Sequence, residues 1–242
     1  MKTVGLYLHI PFCRSKCPYC DFYSLTRSES LFPTYARRMA EQLEHLSKQH
    51  PAQADTLYLG GGTPSLIGGD LLAEIIRAAQ KHFALLPGAE VTVECNPSTC
   101  SPDLFCQLAE AGVNRISLGM QSAVDSERKK LGRRSGKEAV TRCIGWARSA
   151  GIDNLSLDLM LGIPGQTAQS AVESVNFCAE MGVTHVSGYL LKIEEGTPFY
   201  SRAASLALPD EDETCQIYEV VCRELEKSGF KQYEISNFAK PG

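Results

Sequence analysis

The 242-residue sequence contains no apolar stretch near the ~20 residues that would span a bilayer. The apolar run after Met1-Lys2 is interrupted by His9 and Pro11, and no small-residue cleavage site follows it. It therefore reads as a first strand and not as a signal peptide. No charge of one sign dominates: 24 Lys and Arg stand against 28 Asp and Glu, a net of −4, and no run of five like charges occurs. That absence argues against a nucleic-acid partner. There is no low-complexity segment and no linker. Ten cysteines could suggest a secreted disulfide scaffold, but a chain with 43% hydrophobic residues has enough core to do without one. A reducing cytoplasm is the expected compartment, with no transmembrane segment; peripheral contact with a membrane stays compatible with these features.

What is present is alternation. Strands are expected at Val4–Ile10, Thr56–Leu59, Glu90–Cys95, Arg115–Gly119, Asn154–Leu159 and His185–Leu190, with a weaker seventh at Gln232–Ile235. Helical patterns lie at Phe32–Gln49, Asp70–Phe83, Pro102–Ala111, Lys137–Ala150, Ala168–Met181 and Asp210–Ser228, and Gly112, Gly151, Gly182 and Gly229 punctuate helix ends. Such alternation implies right-handed βαβ units and a parallel sheet. Strand parity then selects the kind of sheet. Leu155, Leu157, Leu159 and Leu161 share one side of their strand and Asn154, Ser156 and Asp158 the other. The same division holds for Val91, Val93 and Cys95 against Thr92, Glu94 and Asn96, and for Leu6, Leu8 and Ile10 against Tyr7 and His9. A doubly wound sheet would be apolar on both faces. One polar face points instead to an α/β part-barrel of the (β/α)6 kind, with helices outside and a wet, ligand-lined interior. The stretch Gly196–Pro209 is the nearest thing to a boundary, so residues 1–200 are expected to form the core and 201–242 to begin a C-terminal region.

Cys13, Cys17 and Cys20 follow the first strand in the loop His9-Ile10-Pro11-Phe12-Cys13-Arg14-Ser15-Lys16-Cys17-Pro18-Tyr19-Cys20. Closely spaced thiolates are the ligands of iron–sulfur clusters, and three of them leave one iron open. Structural zinc would want four ligands, commonly as two CxxC-like pairs, and no second pair follows. Incidental thiols are the other alternative, though three at this spacing in one loop are rare. The other seven cysteines (Cys95, Cys100, Cys106, Cys143, Cys178, Cys215 and Cys222) fall mostly on apolar parities and read as small core residues. The Cx3Cx2C pattern with an aromatic before its last cysteine resembles the radical-SAM superfamily. That resemblance implies a [4Fe–4S] cluster whose open iron chelates S-adenosylmethionine and whose reduction cleaves the sulfonium to a 5′-deoxyadenosyl radical.

Gly60-Gly61-Gly62-Thr63-Pro64 ends the second strand. It matches neither phosphate-binding glycine pattern, and three glycines instead permit close backbone approach to a small ligand. Glu94 and Asp158 face the polar side at strand C-terminal ends, where barrel sites collect; the lesser alternative for each is a solvated or salt-bridged carboxylate. Gln121 and Arg133 follow the fourth strand, with Arg134 able to take Arg133's place. Thr167 is an N-cap candidate. His9 and His185 read first as satisfied core histidines.

The motifs Tyr7–Cys13, GGGTP, Glu94–Pro97, Asn114–Gln121 and Asp158–Gly165 occur in the order found in one branch of the superfamily. The chain resembles the oxygen-independent coproporphyrinogen III oxidases and their relatives, the HemW-type haem chaperones. The resemblance implies that Tyr7, Gly61 and Glu94 serve the cluster-bound S-adenosylmethionine. It also implies that Gly62, Thr63, Gln121, Arg133 and Asp158 match positions that hold a second molecule in the oxidase. Two departures favour the chaperone over the oxidase. Phe22 stands where the oxidases carry another cysteine, and the first strand begins without their N-terminal extension. Haem or porphyrin, a haem-acceptor protein and an electron donor such as flavodoxin are the implied partners. The chaperones' HNxxYW haem motif would lie beyond Gly242, so the resemblance transfers no haem ligand to a residue of this sequence. The alternative activity is radical oxidative decarboxylation of coproporphyrinogen.

Overall fold

The computed structural model describes residues 2–241. The chain divides into two compact units, each discontinuous in sequence: Met1–Ser15, Phe22–Ser117 and Gly145–Asp153, then Lys16–Asp21, Leu118–Ile144 and Asn154–Gly242.

In the first unit, β1 (Lys2–Ile10), β2 (Ala52–Gly61) and β3 (Leu85–Cys95) pair in that order, all parallel. Crossover helices α1 (Phe32–Gln49) and α2 (Gly69–Phe83) join them and pack on each other. Pro33 sits in the first turn of α1, where its missing N–H costs nothing. Along α2, Leu72, Ile75, Ile76, Ala79 and Phe83 recur at helical spacing and are buried. The following helix, α3 (Pro102–Glu110), opens on Ser101, whose hydroxyl accepts the Leu104 N–H at 3.2 Å. The strand β4 (Arg115–Gln121) begins in this unit and ends in the second.

The second unit holds α4 (Asp125–Lys130), then β5 (Asn154–Leu161) parallel to β6 (His185–Leu190), with α6 (Ala168–Glu180) between them. The helix α5 (Lys137–Ser149) ends in the first unit. Thr167 and Ser170 close a reciprocal capping box on α6, so the expected N-cap is in place. A short α7 (Pro198–Ser201) follows β6, and then α8 (Glu211–Lys227), capped by Asp210 and Glu213.

The weak seventh strand differs from expectation. It is two short strands, β7 (Lys231–Gln232) and β8 (Asn237–Ala239), with β8 antiparallel to both β6 and β7. Glu234 turns the chain between them by accepting the Ser236 N–H at 2.8 Å and bonding the Asn237 side chain. The six-residue α4 escaped the sequence pattern because Asp125–Lys130 has no apolar periodicity.

Parity on the apolar side is as read: Leu155, Leu157, Leu159 and Leu161 are all buried. The polar side is not wet along its whole length: its middle positions are buried, while those toward either end are more accessible. Ser156 is wholly buried and Asp158 half-buried; Thr92 is wholly buried and Glu94 half-buried. The buried polar groups are satisfied internally, as buried hydroxyls require. Ser156 Oγ lies 2.8 Å from His185 Nδ1, and Thr92 donates to Glu90 at 2.8 Å.

Candidate functional site

In the first unit, β1 ends at Ile10 and the chain turns into Pro11-Phe12-Cys13. A parallel bridge fixes this turn. The Cys13 N–H donates to the Leu25 carbonyl at 2.9 Å, and the Leu25 N–H to the Pro11 carbonyl at 2.6 Å. Cys13 Sγ lies 3.6 Å from Thr63 Oγ1. The cysteine loop is thus tied to the glycine turn by backbone as well as side chain, because the Gly62 N–H also donates to the Ile10 carbonyl at 2.9 Å.

The three glycines answer to crowding within the protein itself. A Cβ at Gly60 would sit 2.9 Å from Glu94 Oε1, one at Gly61 would sit 2.5 Å from His9 Cε1 and Nδ1, and one at Gly62 would sit 2.7 Å from the Phe12 carbonyl oxygen. Gly61 also has φ +114°, a region closed to side-chain-bearing residues. The close approach expected for a small ligand is therefore already demanded by Glu94, His9 and the backbone that leads into Cys13.

Glu94 accepts the Tyr58 hydroxyl at 2.7 Å on one oxygen and the Gly61 N–H at 3.1 Å on the other. Burial raises its carboxyl above the usual range, and the two hydrogen bonds oppose that shift. Tyr7, 57% exposed, donates to His9 Nδ1 at 3.0 Å, and His9 Nε2 faces the Tyr23 carbonyl at 2.9 Å. A carbonyl only accepts, so Nε2 carries the proton and Nδ1 receives the phenol. His9 is thus satisfied at both nitrogens, as is His185, which bridges Ser156 and Tyr233 at 2.8 and 2.9 Å.

In the second unit, Lys16–Asp21 carries Cys17 and Cys20, with the Cys20 N–H donating to the Cys17 carbonyl at 3.1 Å. The Pro18 carbonyl accepts the Phe199 N–H at 2.9 Å, and the Pro18 ring lies over Gly132, where a Cβ would be 3.1 Å from Cδ. Tyr19 packs against the buried trio Leu131, Ile163 and Phe199. Its hydroxyl accepts Nε and Nη2 of Arg133 at 3.2 and 3.1 Å. Arg133 is the half-buried arginine of its pair, and Arg134 is exposed. Gln121 is buried with φ +72°, an uncommon conformation for a non-glycine residue and one that marks an over-determined position. Its amide nitrogen and both terminal nitrogens of Arg133 come within 4 Å of where a Gly119 side chain would begin. Asp158 stands half-buried beside Cys178, whose thiol is pushed up by burial and by the Asp158 charge.

A clasp that sequence reading missed holds this unit's loops. The buried Glu127 accepts Ser122 Oγ at 2.7 Å, Ser170 Oγ at 2.5 Å and Gln166 Nε2 at 3.2 Å. Gln166 in turn accepts the Gly162 N–H at 2.7 Å. One carboxylate therefore joins the residue after Gln121, the loop after β5 and the cap of α6. Nothing in the run Asp125–Lys130 distinguishes Glu127 from a solvated charge, so only tertiary contact reveals it.

The donor set fits an iron–sulfur cluster. Cys13, Cys17 and Cys20 are half-buried thiols, neither disulfide-bonded nor sealed in the core. Among the described residues, no three His, Cys, Asp or Glu side chains are gathered where they could hold a metal ion. A cuboidal cluster takes each thiolate at a separate iron, so its ligands need not converge on one point. Of the other cysteines, Cys95, Cys143 and Cys178 are buried as expected, whereas Cys106 and Cys215 are exposed on their helices.

The family model of the Radical SAM superfamily matches residues 7–178, and the chain belongs to that superfamily. Its more particular likeness is to proteins called heme chaperone HemW. The Mycobacterium tuberculosis protein is 38% identical over 100% of this chain and 63% of its own length. That from Escherichia coli is 37% identical over 100% of this chain and 64% of its own. The chain thus spans less than two thirds of these relatives. Among solved structures, coproporphyrinogen III oxidase (HemN) from Escherichia coli, a radical SAM enzyme, matches 99% of this chain and 56% of its own. The TM-score is 0.89 at 23% identity, a likeness of fold. The α/β radical-SAM part-barrel class expected from strand parity is the class of this chain. No helix among the described residues is long and apolar enough to cross a membrane.

Proposed function

We propose that this chain is the radical-SAM portion of a haem chaperone, a protein that binds haem and delivers it to haemoproteins. The observation that carries the reading is identity of 37–38% along the whole chain to proteins bearing that name. Phe22, 68% exposed, stands where the oxidases carry an extra cysteine and supports the same choice. The likeness to the oxidase structure speaks for the fold and not for its reaction.

In this reading Cys13, Cys17 and Cys20 hold the [4Fe–4S] cluster. Tyr7, Gly61 and Glu94 serve the S-adenosylmethionine on its open iron, and Gly62, Thr63, Gln121, Arg133 and Asp158 form the place for a second molecule. The bound cluster supplies the electron that opens the sulfonium. The chain's own contribution is placement. The glycine turn lets Glu94, His9 and the backbone leading into Cys13 pack close together, Glu94 is held on two donors, and Arg133 with Gln121 presents N–H groups. Residues 1–200 form the core in this proposal and 201–242 begin the C-terminal region. The partners are haem, a haem-acceptor protein and an electron donor such as flavodoxin, in the cytoplasm. Because His9 and His185 both use both ring nitrogens, neither offers haem iron a ready ligand.

The test is anaerobic reconstitution followed by absorbance and iron analysis, haem titration, and chromatography of porphyrins after incubation with coproporphyrinogen III, reductant and S-adenosylmethionine. We expect one [4Fe–4S] cluster, lost in each of Cys13→Ala, Cys17→Ala and Cys20→Ala, together with weak haem binding by this chain and no porphyrin conversion. A chain extended as in its relatives should bind haem tightly. Protoporphyrinogen above the no-enzyme control would replace the chaperone reading with the oxidase.

A further inference from the structure

On the hairpin that follows α8, Tyr233 combines an exposed ring with a buried anchor. The residue is 63% exposed, yet its hydroxyl lies 2.9 Å from Nε2 of His185, which is buried on β6. The other ring nitrogen, Nδ1, lies 2.8 Å from the Oγ of the wholly buried Ser156 on β5. A serine oxygen can accept the Nδ1 proton, and that tautomer leaves Nε2 as an acceptor for the phenol proton. Register puts the three residues on one face of the sheet. Ser156 pairs with His185, and His185 and Lys231 both stand opposite Ala239. Tyr233 follows two residues after Lys231, with its N–H on the Asn237 carbonyl at 3.2 Å. Tyr189, 46% exposed, shares that face of β6. The hairpin is fixed from two sides. The Gly188 N–H of β6 donates to the Ser236 carbonyl at 2.7 Å, and the Tyr218 hydroxyl of α8 donates to the Ile235 carbonyl at 2.8 Å.

We propose that the Tyr233 oxygen is a ligand for the iron of ferric haem, with His185 as the positioning residue that takes the phenol proton. Tyrosine oxygen is one of the axial ligands that hold haem iron in proteins. On binding, the Tyr233 O–H proton passes to His185 Nε2, the phenolate oxygen bonds to Fe(III), and the water on that iron leaves. The oxidation state of the iron does not change. Ser156 holds the imidazole at Nδ1, so the ring need not turn to receive the proton. The imidazole is itself no ligand, because both of its nitrogens are engaged within the protein. It passes that role outward to an oxygen on an exposed residue, where a flat macrocycle has access. Tyr189 on the same face offers the macrocycle an aromatic side chain. The inference rests on the reading of this chain as part of a haem chaperone, and it names the site of the weak haem binding expected of the chain as it stands.

The experiment titrates ferric haem, and metal-free protoporphyrin IX beside it, into the cluster-loaded chain without reductant. Absorbance and fluorescence quenching give the affinities, and resonance Raman spectra show whether an iron–phenolate bond forms. The variants are Tyr233→Phe, His185→Gln and, as a control on the same face, Tyr189→Phe. Circular dichroism and iron analysis check fold and cluster. We expect iron–phenolate bands in the wild type and in Tyr189→Phe, and none in Tyr233→Phe. His185→Gln should bind haem about ten-fold more weakly with its bands diminished, as loss of the group behind a metal ligand implies. Protoporphyrin affinity should be the same in all four proteins. Bands that persist in Tyr233→Phe, or haem and protoporphyrin affinities that fall together in that variant, would overturn the assignment. A wild type that takes up no ferric haem would overturn this site and leave the chaperone reading to the extended chain, whereas protoporphyrinogen formed from coproporphyrinogen III would remove that reading itself.

Discussion

Replacing Gly61 with alanine tests the claim that the glycine turn is shaped by crowding inside the protein. The new Cβ would lie 2.5 Å from His9 Cε1 and Nδ1, far inside van der Waals contact, on a backbone with φ +114°. The conformation alone costs about 1–2 kcal/mol for an L side chain. His9 cannot give way without cost, because its ring is tied to Tyr7 and to the Tyr23 carbonyl at 3.0 and 2.9 Å. Breaking one or both of those bonds adds about 0.5–1.5 kcal/mol each. The total is about 2–4 kcal/mol, or roughly 5–15 °C in Tm for a chain of this size. Gly151→Ala is the control: φ is +85° there and nothing lies within 4 Å of the added carbon, so only the conformational cost of about 1–2 kcal/mol applies. Thermal melts followed by circular dichroism, on protein without cluster, compare the two. A second arm adds His9→Ala to Gly61→Ala, which should return the loss toward the level of the control. Equal melting of Gly61→Ala and Gly151→Ala, or no recovery in the double variant, would refute the crowding argument.

Three further outcomes are expected. Burial raises the Glu94 carboxyl in the folded state, so the folded protein holds that proton more tightly than the unfolded chain does. Wild type should therefore lose stability relative to Glu94→Gln as pH rises through the folded carboxyl's pKa, and the difference should close at low pH; a pH-independent difference in Tm would contradict this. Glu127→Ala leaves three donors in a buried space without their acceptor and should cost about 2–4 kcal/mol in denaturant unfolding; a loss under ~0.5 kcal/mol would show that the clasp is slack. Glu94→Ala and Asp158→Ala should each weaken S-adenosylmethionine binding by calorimetry about ten- to a hundred-fold, as removal of a charged hydrogen bond of ~1.5–3 kcal/mol implies; unchanged affinity with a large fall in Tm would make these carboxylates structural.

Much of the fold was legible because it rests on periodicity. The strand at His185–Leu190 and the helix at Phe32–Gln49 have the bounds that alternation and helical spacing assign them. Gly112, Gly151, Gly182 and Gly229 all take positive φ where helices end. The short antiparallel pair β7 and β8 was not legible, because Glu234 makes its turn through a side-chain acceptor that no spacing rule records.

The sequence by itself determined what depends on neighbours along the chain: the cysteine spacing, the two-sided strands and the residue types at strand ends. Tertiary structure decided what depends on groups far apart in sequence. It turned Arg133 and not Arg134 toward Tyr19, across 114 residues, and placed Glu127 among Ser122, Gln166 and Ser170. It also filled the space beside Gly61 with the His9 ring. A charged side chain looks the same in sequence whether it is solvated or clasped. The free energy that separates those fates comes from burial and from hydrogen-bond partners that only the folded chain brings within reach.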